Sequence, residues 1–382
     1  RWYSERKDIQ KKAKEAYGTD MYDYYDKRQL VRKILLNSAY GALLNEHCRF
    51  YDKRIGQSVT LSGRQITKHM MSHINECVMG EYKHDGESIV YGDTDSCYFS
   101  AWPALKDQVA KGEMTWDKDI CIQLYDTIGE SVNDSFPAFM EKAFHAPRKN
   151  GAIIKAGREL IGDRTIFITK KRYAINIFDK EGKRKDKDGK QGDIKAMGLD
   201  LKRADTPKYI QDFLMNVLEM VIQQGKGRDE VIDVIKDFKR NLSSQPAWTK
   251  GSPKGVNNLT YYGDLETNSK TGKANMPGHV RAALNWNYLR RVNGDNYSMK
   301  IVDGFKIIVC KLKPNPLGFT SIAYPTDELR LPDWFKELPF DEDAMETTLV
   351  DEKIDNLLGV LGWDLRSNTD TKTTFDQLFT FN

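Results

Sequence analysis

Residues 88–100 read Ser88-Ile89-Val90-Tyr91-Gly92-Asp93-Thr94-Asp95-Ser96-Cys97-Tyr98-Phe99-Ser100. β-Branched and aromatic residues flank a Gly-Asp-Thr-Asp centre, which predicts two short strands about a tight turn. Carboxylates two residues apart point the same way on an extended chain, and a tight turn lifts Asp93 and Asp95 to the sheet surface. Hard oxygen ligands with room for water suit Mg²⁺, and Mn²⁺ fits nearly as well. Two such ions a few Å apart clamp an in-line phosphoryl displacement. Gly and Asp are also ordinary turn residues, so a bare Asp-x-Asp carries little. The full hexapeptide Tyr91–Ser96 between apolar strands carries more.

Working outward, helical patterns cover 1–17, about 26–45 and about 56–79. Gly18 and Thr19 break the first from the second, which predicts a helical hairpin. Residues 117–145 read as helix, and Thr165–Phe178 as a strong strand. The charged run Asp179–Lys190, with two glycines, is the expected tip of a hairpin. Helices follow at about 207–224, 228–241 and 279–292, with a strand-like stretch at Phe305–Leu312. Helix and strand blocks are grouped rather than alternating, which predicts an α+β fold over a doubly wound one.

The 382 residues carry 59 Lys+Arg and 55 Asp+Glu, a net charge of +4. That balance hides an asymmetry. Asp327–Asn382 holds 14 acids and 5 bases, so the rest holds 54 bases and 41 acids. A basic body is compatible with nucleic acid, though many basic surfaces bind nothing in particular. Hydrophobic residues make up 40%, enough to exclude wholesale disorder. No apolar run approaches the ~18 residues of a membrane span. The five cysteines are widely spaced with no CxxC, which argues against a zinc module or disulfide framework and for a cytoplasmic compartment. The chain opens at Arg1 rather than Met, as a fragment or processed product would.

Other stretches carry chemistry. Spacings of four and seven put Lys33, Asn37 and Tyr40 on one helical face, where a cation, an amide and an aromatic meet a triphosphate and a base together. Gly41 lets a backbone or substrate approach closely. The same segment also reads as a solvated Lys on a helix packing Leu35, Leu36 and Ala39 inward. On the first helix, Lys7 and Lys11 share a face, as do Arg6 and Gln10; they suit phosphates or plain solvent. In Lys170-Lys171-Arg172-Tyr173, strand alternation sends Lys170 and Arg172 to one face and Lys171 and Tyr173 to the other. A buried cation there needs a partner, a phosphate backbone or an acid such as Glu159. An edge strand guarded by lysine explains the same residues. His279 and Arg281 suit positional contacts to a duplex. The C-terminal Phe375, Leu378 and Phe379 suit an apolar docking peptide, or a tail packed on its own domain.

Tyr91-Gly-Asp-Thr-Asp-Ser96, together with Lys33-x-x-x-Asn37-Ser-x-Tyr40-Gly41 about fifty residues earlier, resembles motifs C and B of family B DNA polymerases. The Lys170–Tyr173 stretch and Lys195-Ala-Met-Gly-Leu199 with Thr206-Pro207 follow at fitting distances. The likeness is greatest to replicative polymerases of T4-like bacteriophages. It implies a right-hand architecture: helical-hairpin fingers at 1–45, an antiparallel-sheet palm at 46–198 and a mostly helical thumb at 199–382. By resemblance, Lys33, Arg6, Lys7 and Lys11 contact the triphosphate, and Asn37 and Tyr40 lie by the nucleotide. Gln10 stands where the family pattern has a lysine, which leaves the working basic pair open. Asp95 is implied as a direct ligand of two Mg²⁺ ions, with Asp93 more peripheral. Gly41, Thr94, Glu159, Lys170–Tyr173, His279 and Arg281 are implied to lie at the primer-template, and Phe375, Leu378 and Phe379 to dock on a sliding clamp.

The family's further metal-binding Asp, in an Asp-x-x-Ser-Leu-Tyr-Pro-like segment, has no counterpart in this sequence. The expectation is therefore the C-terminal part of a polymerase. It would use deoxynucleoside triphosphates and need an N-terminal part that carries that Asp and the exonuclease. A non-catalytic fragment that binds DNA and clamp is the alternative. A two-metal nuclease ranks below it, because a nuclease has no need of the Lys33/Asn37/Tyr40 stripe.

Overall fold

The computed structural model describes residues 2–266 and 276–363. The chain divides into two compact units, Arg1–Arg158 and Glu159–Asn382. Helices and antiparallel sheets lie in separate blocks, as α+β class requires. Among the described residues, no helix is long and apolar enough to cross a membrane. All five cysteines are free thiols.

The first unit opens with α1 (Trp2–Glu15) and α2 (Asp20–Leu43). Helix α2 begins six residues earlier than its apolar pattern predicts, because Asp20 and Asp23 in its first turn suit the helix dipole. No residue of α2 is buried, and Leu35 and Ala39 are exposed rather than packed inward. Polar contacts join the pair. Arg6 and Gln10 donate to Gln29 Oε1 at 3.4 and 3.5 Å, and Arg32 pairs with Glu5 at 2.5 Å.

Helix α3 (Lys53–Met79) starts where the Asp52 carboxylate accepts from the amides of Arg54 and Ile55. It ends at Gly80, whose φ of +76° suits a left-handed cap. Strands β1 (Ile89–Asp93) and β2 (Ser96–Phe99) form the expected hairpin. Helices α4 (Trp102–Ala110) and α5 (Lys118–Phe144) follow. The core joins Ile74 of α3 to Ile128, Val132 and Phe136 of α5. Each such side chain contributes about 1.5–3 kcal/mol on burial. Ile89, Cys97 and Phe99 pack on it, which seats the hairpin against α3.

His69 of α3 lies in this region, stacked on Phe139 with ring centroids 4.0 Å apart. Its Nε2 is 2.9 Å from Ser135 Oγ, and its Nδ1 is 2.7 Å from the Tyr82 hydroxyl. Ser135 already gives its proton to the Val132 carbonyl. His69 Nε2–H therefore donates to Ser135, and Nδ1 accepts from Tyr82. Burial, then the neighbouring His73, pushes the His69 pKa down to about 4. The unfolded chain thus takes up this proton near pH 6.5 and the folded one only near 4, so the contribution is full above pH 6.5 and fades toward pH 4. Urea midpoints at pH 7.5 and 5 should differ in the wild type and differ less in His69→Gln.

The second unit begins with β3 (Leu160–Thr169), β4 (Arg172–Lys180), β5 (Lys183–Arg184) and β6 (Asp193–Met197). β4 is central, paired with β3 on one side and with β5 and β6 on the other. Its residues Tyr173–Asp179 are all buried; the two polar ones are bonded, Asn176 donating to Asp163 and to the Gln191 carbonyl and Asp179 accepting from the Gly182 amide. The expected single strand over Thr165–Phe178 is instead a hairpin turning at Lys170-Lys171, with Lys171 at φ +64°. Alternation therefore does not run through Lys170–Tyr173. Gly198, at φ +63°, lets its strand end pass that turn: a Cβ there would lie 2.2 Å from the Lys171 carbonyl oxygen. The charged run after Asp179 does contain a tip, at Glu181-Gly182.

Helices α6 (Lys208–Ile222) and α7 (Arg228–Ser243) cover this sheet through Ile210, Leu214, Val217, Val231 and Ile235. A second core surrounds Trp286 of α8 (Gly278–Val292) and a sheet of β7 (Ser252–Gly255), β8 (Lys306–Lys311) and β9 (Ser321–Pro325). Only β8 is foreseen by the reading of 199–382 as mostly helical. The Pro253 and Gly255 of β7 mask it; the strand is an edge of its sheet, where a missing N–H is tolerated. Helix α9 (Glu352–Leu358) returns to the first core of this unit through Ile354 and Leu357.

Candidate active site

The β1–β2 hairpin turns at Thr94 and Asp95, with Asp93 opposite Ser96. The Asp95 amide donates to the Asp93 carbonyl at 2.7 Å, and Thr94 between them has φ +56°. That is a γ-turn of positive φ, a rare and strained conformation for a β-branched residue. The Ser96 hydroxyl donates to the same carbonyl at 3.2 Å, and the Thr94 hydroxyl to Asp93 Oδ1 at 3.2 Å. Asp93 is half-buried. Asp95 is exposed, and its carboxylate has no hydrogen-bond or ion-pair partner among the described residues. The turn thus presents one bound and one available carboxylate.

One face of α3 follows the hairpin. Asn75 Oδ1 accepts from the Ser88 amide and hydroxyl at its base. Met71 lies against Gly92, where a Cβ would stand 3.1 Å from the thioether. Thr67 donates to the Thr94 carbonyl at 2.9 Å. These three residues, spaced by four, were not singled out from sequence. Their spacing marks one helical face but does not say what that face meets.

Helix α3 also touches α2. On α2, Lys33 and Asn37 are exposed and have no hydrogen-bond or ion-pair partner among the described residues. Tyr40 is half-buried and donates to the Gly56 carbonyl of α3 at 3.4 Å. Gly41 is open, with nothing within 4 Å of a Cβ placed there. On α1, Arg6 turns to Gln29, whereas Lys7 and Lys11 are exposed, Lys7 5.7 Å from the Tyr3 ring centroid.

In the second unit, Lys170 and Lys171 are exposed at the β3–β4 turn and Tyr173 is buried. Arg172 reaches Asp200, not Glu159, at 3.4 Å. Lys353 of α9 meets the other Asp200 oxygen at 3.4 Å and the Thr206 hydroxyl at 3.1 Å. Glu159 pairs instead with Lys195 at 3.0 Å. His279 is half-buried, and burial, then the Lys254 charge, lowers its pKa. Arg281 is exposed. Phe375, Leu378 and Phe379 lie outside the described residues.

Residues 1–118, which include the hairpin and the Lys33–Tyr40 face, match the family described as DNA polymerase family B. The chain is similar to family B DNA polymerases. It is 28% identical over 313 residues to the DNA-directed DNA polymerase of Enterobacteria phage T4. The corresponding enzyme of Escherichia phage RB69 is 28% identical over 310 residues. Each match covers 78% of this chain and 33% of the phage protein. DNA polymerase 1 of Pyrococcus abyssi is 26% identical over 239 residues, 63% of this chain and 25% of that protein. The chain therefore spans about a third of the length of the phage relatives it matches.

A polymerase relative implies a divalent metal. Asp93 and Asp95 supply hard oxygen donors at a solvent-facing turn, which suits Mg²⁺. Among the described residues, no group of three His, Cys, Asp or Glu converges to hold a metal. The pair would fit as part of a coordination shell completed by other ligands, such as substrate and water.

Proposed function

We propose that this chain is the C-terminal part of a DNA-directed DNA polymerase: fingers over 1–45, palm over 46–198 and thumb over 199–382. The observation that carries the reading is the partnerless Asp95 carboxylate at the hairpin apex, inside the stretch that matches the polymerase family. The reaction forms a bond from a primer 3′-oxygen to the α-phosphorus of a deoxynucleoside triphosphate. It breaks the α–β phosphoanhydride bond and releases pyrophosphate. Two Mg²⁺ ions, when bound, supply charge stabilisation for the attacking and leaving oxygens. Asp95 would hold them directly, with Asp93 behind it, its carboxylate steadied by the Thr94 hydroxyl. Thr94 is exposed and Gly41 has nothing within 4 Å of a Cβ placed there, which suits both to the primer-template.

Lys33 and Asn37 lie exposed and uncommitted on α2. That suits them to phosphate and nucleotide, while the Tyr40 bond to Gly56 steadies the aromatic surface. Lys7 and Lys11 are the more accessible cations of α1, and Arg6 is partly engaged by Gln29. In the second unit, Lys170, Lys171 and Arg281 suit primer-template phosphates. Asp200 holds Arg172 at the base of that turn, and Tyr173, His279 and Glu159 serve as supports. The partners are primer-template DNA, deoxynucleoside triphosphates, an N-terminal part with the third carboxylate, and a sliding clamp at Phe375, Leu378 and Phe379.

The lack of a third converging acid among the described residues favours, as a second reading, a fragment that only binds DNA and clamp. Products separate the cases. The chain is combined with an N-terminal polymerase part, labelled primer-template and Mg²⁺, with and without deoxynucleotides. Extension that requires deoxynucleotides is expected. Binding without extension supports the second reading, and degradation without deoxynucleotides indicates a nuclease.

A further inference from the structure

We propose that Thr67 of α3 is a positioning residue that holds the Asp93–Asp95 turn in its strained shape; this rests on, and deepens, the polymerase reading. Backbone strain of this kind persists only where the surroundings over-determine it. The strands alone do not do so. Both hydrogen bonds named above to the Asp93 carbonyl, from the Asp95 amide and the Ser96 hydroxyl, leave the Thr94 carbonyl itself to be held, with Thr94 at φ +56°. A Thr at that position resists the left-handed region because its β-branch crowds the backbone.

The missing constraint comes from α3. Thr67 Oγ1 is 2.9 Å from the Thr94 carbonyl oxygen and 3.1 Å from the carbonyl of Gly63, one helical turn back. Its one proton is thus shared between the helix and the turn. The bond fixes the carbonyl of the strained residue itself, and so the peptide plane between Thr94 and Asp95. That plane sets the direction in which Asp95 leaves the turn. Four and eight residues along the same face, Met71 abuts Gly92 and Asn75 holds Ser88, so the hairpin cannot slide along α3. Asn75 anchors the base; Thr67 aims the apex. Thr67 is only half-buried, so a valine of the same shape replaces its hydroxyl without opening a cavity.

The test compares wild type, Thr67→Val and Thr67→Ser in the full chain. Valine keeps the shape and removes the donor; serine keeps the donor. Hydrogen exchange at the Asp95 amide reads the turn directly and needs no activity. Loss of one net hydrogen bond should speed it about fivefold in Thr67→Val, with Thr67→Ser near wild type. Exchange at core amides of α5, such as Val132 and Phe136, should not change. With the N-terminal part and primer-template, kcat should fall about fivefold or more, with KM for deoxynucleotide unchanged, as expected for an interaction felt only in the transition state. Unchanged Asp95 exchange in Thr67→Val overturns the proposal. So does faster exchange throughout α5, which would make Thr67 a stability residue. Asp95→Asn separates the two levels. If Thr67→Val opens the turn while Asp95→Asn leaves extension intact, the polymerase reading fails and the turn assignment stands.

Discussion

Asp95→Asn should lower templated extension by at least about a thousandfold, with DNA affinity and folding unchanged. The side chain is exposed at the apex of a two-strand turn, and its carboxylate meets no donor or cation among the described residues. Nothing in the fold therefore requires its charge. An amide of the same shape removes one formal charge and turns an N–H toward any cation. The lost electrostatic stabilisation amounts to several kcal/mol, and each ~1.4 kcal/mol is a factor of ten in rate. Asp93→Asn should cost less, because Asp93 is half-buried and already accepts from Thr94. Steady-state extension with circular dichroism as a folding control checks both. Equal losses in the two variants, or full activity of Asp95→Asn, would contradict the assigned roles.

The second large effect is on stability. Lys250, between α7 and β7 in chain order, is 2% exposed. Its ammonium pairs with Glu342 and lies 3.4 Å from the Ser243 carbonyl. Glu342 is itself about half-exposed, so Glu342→Ala leaves a buried cation with one weak acceptor and some access of water, and should destabilise the second unit by about 2 kcal/mol, below the cost of breaking a fully buried pair from one side. Lys250→Met removes the charge and keeps the length, and should be near neutral by the same reasoning, since a buried pair roughly balances its desolvation cost. Urea denaturation of the two variants separates the outcomes. A Lys250→Met as unstable as Glu342→Ala would mean that the pair contributes net stability.

Much of this was legible in the sequence, and the exceptions share a cause. Local patterns with strong punctuation read correctly: Gly18-Thr19 between α1 and α2, and the Gly-Asp-Thr-Asp turn of β1–β2. The turn at Lys170-Lys171 has no Gly, Pro, Asn or Asp to announce it. It is imposed by pairing along β3–β4, with Gly198 making space beside it. Strand β7 was hidden because its Pro and Gly read as loop, and edge position rescues them. Similarly, the Asp-x-Asp pair was visible because its chemistry is local. Thr67 was not, because its partner is a carbonyl on another element, and a main-chain acceptor leaves no trace in side-chain spacing. Arg172 shows the same limit: Asp200 as its partner follows only from the way β4 and the chain after β6 meet.

The measurement closest to the central claim is primer extension with Mg²⁺ and all four deoxynucleotides. It compares the pure chain alone with the chain mixed with the product of the nearest upstream polymerase-like reading frame. The account predicts no extension by the chain alone, because Asp93 and Asp95 supply only part of a metal shell. It predicts extension in the mixture, lost when Asp95 is replaced by Asn. Robust extension by the isolated chain, or a mixture that binds primer-template and extends nothing, would contradict it.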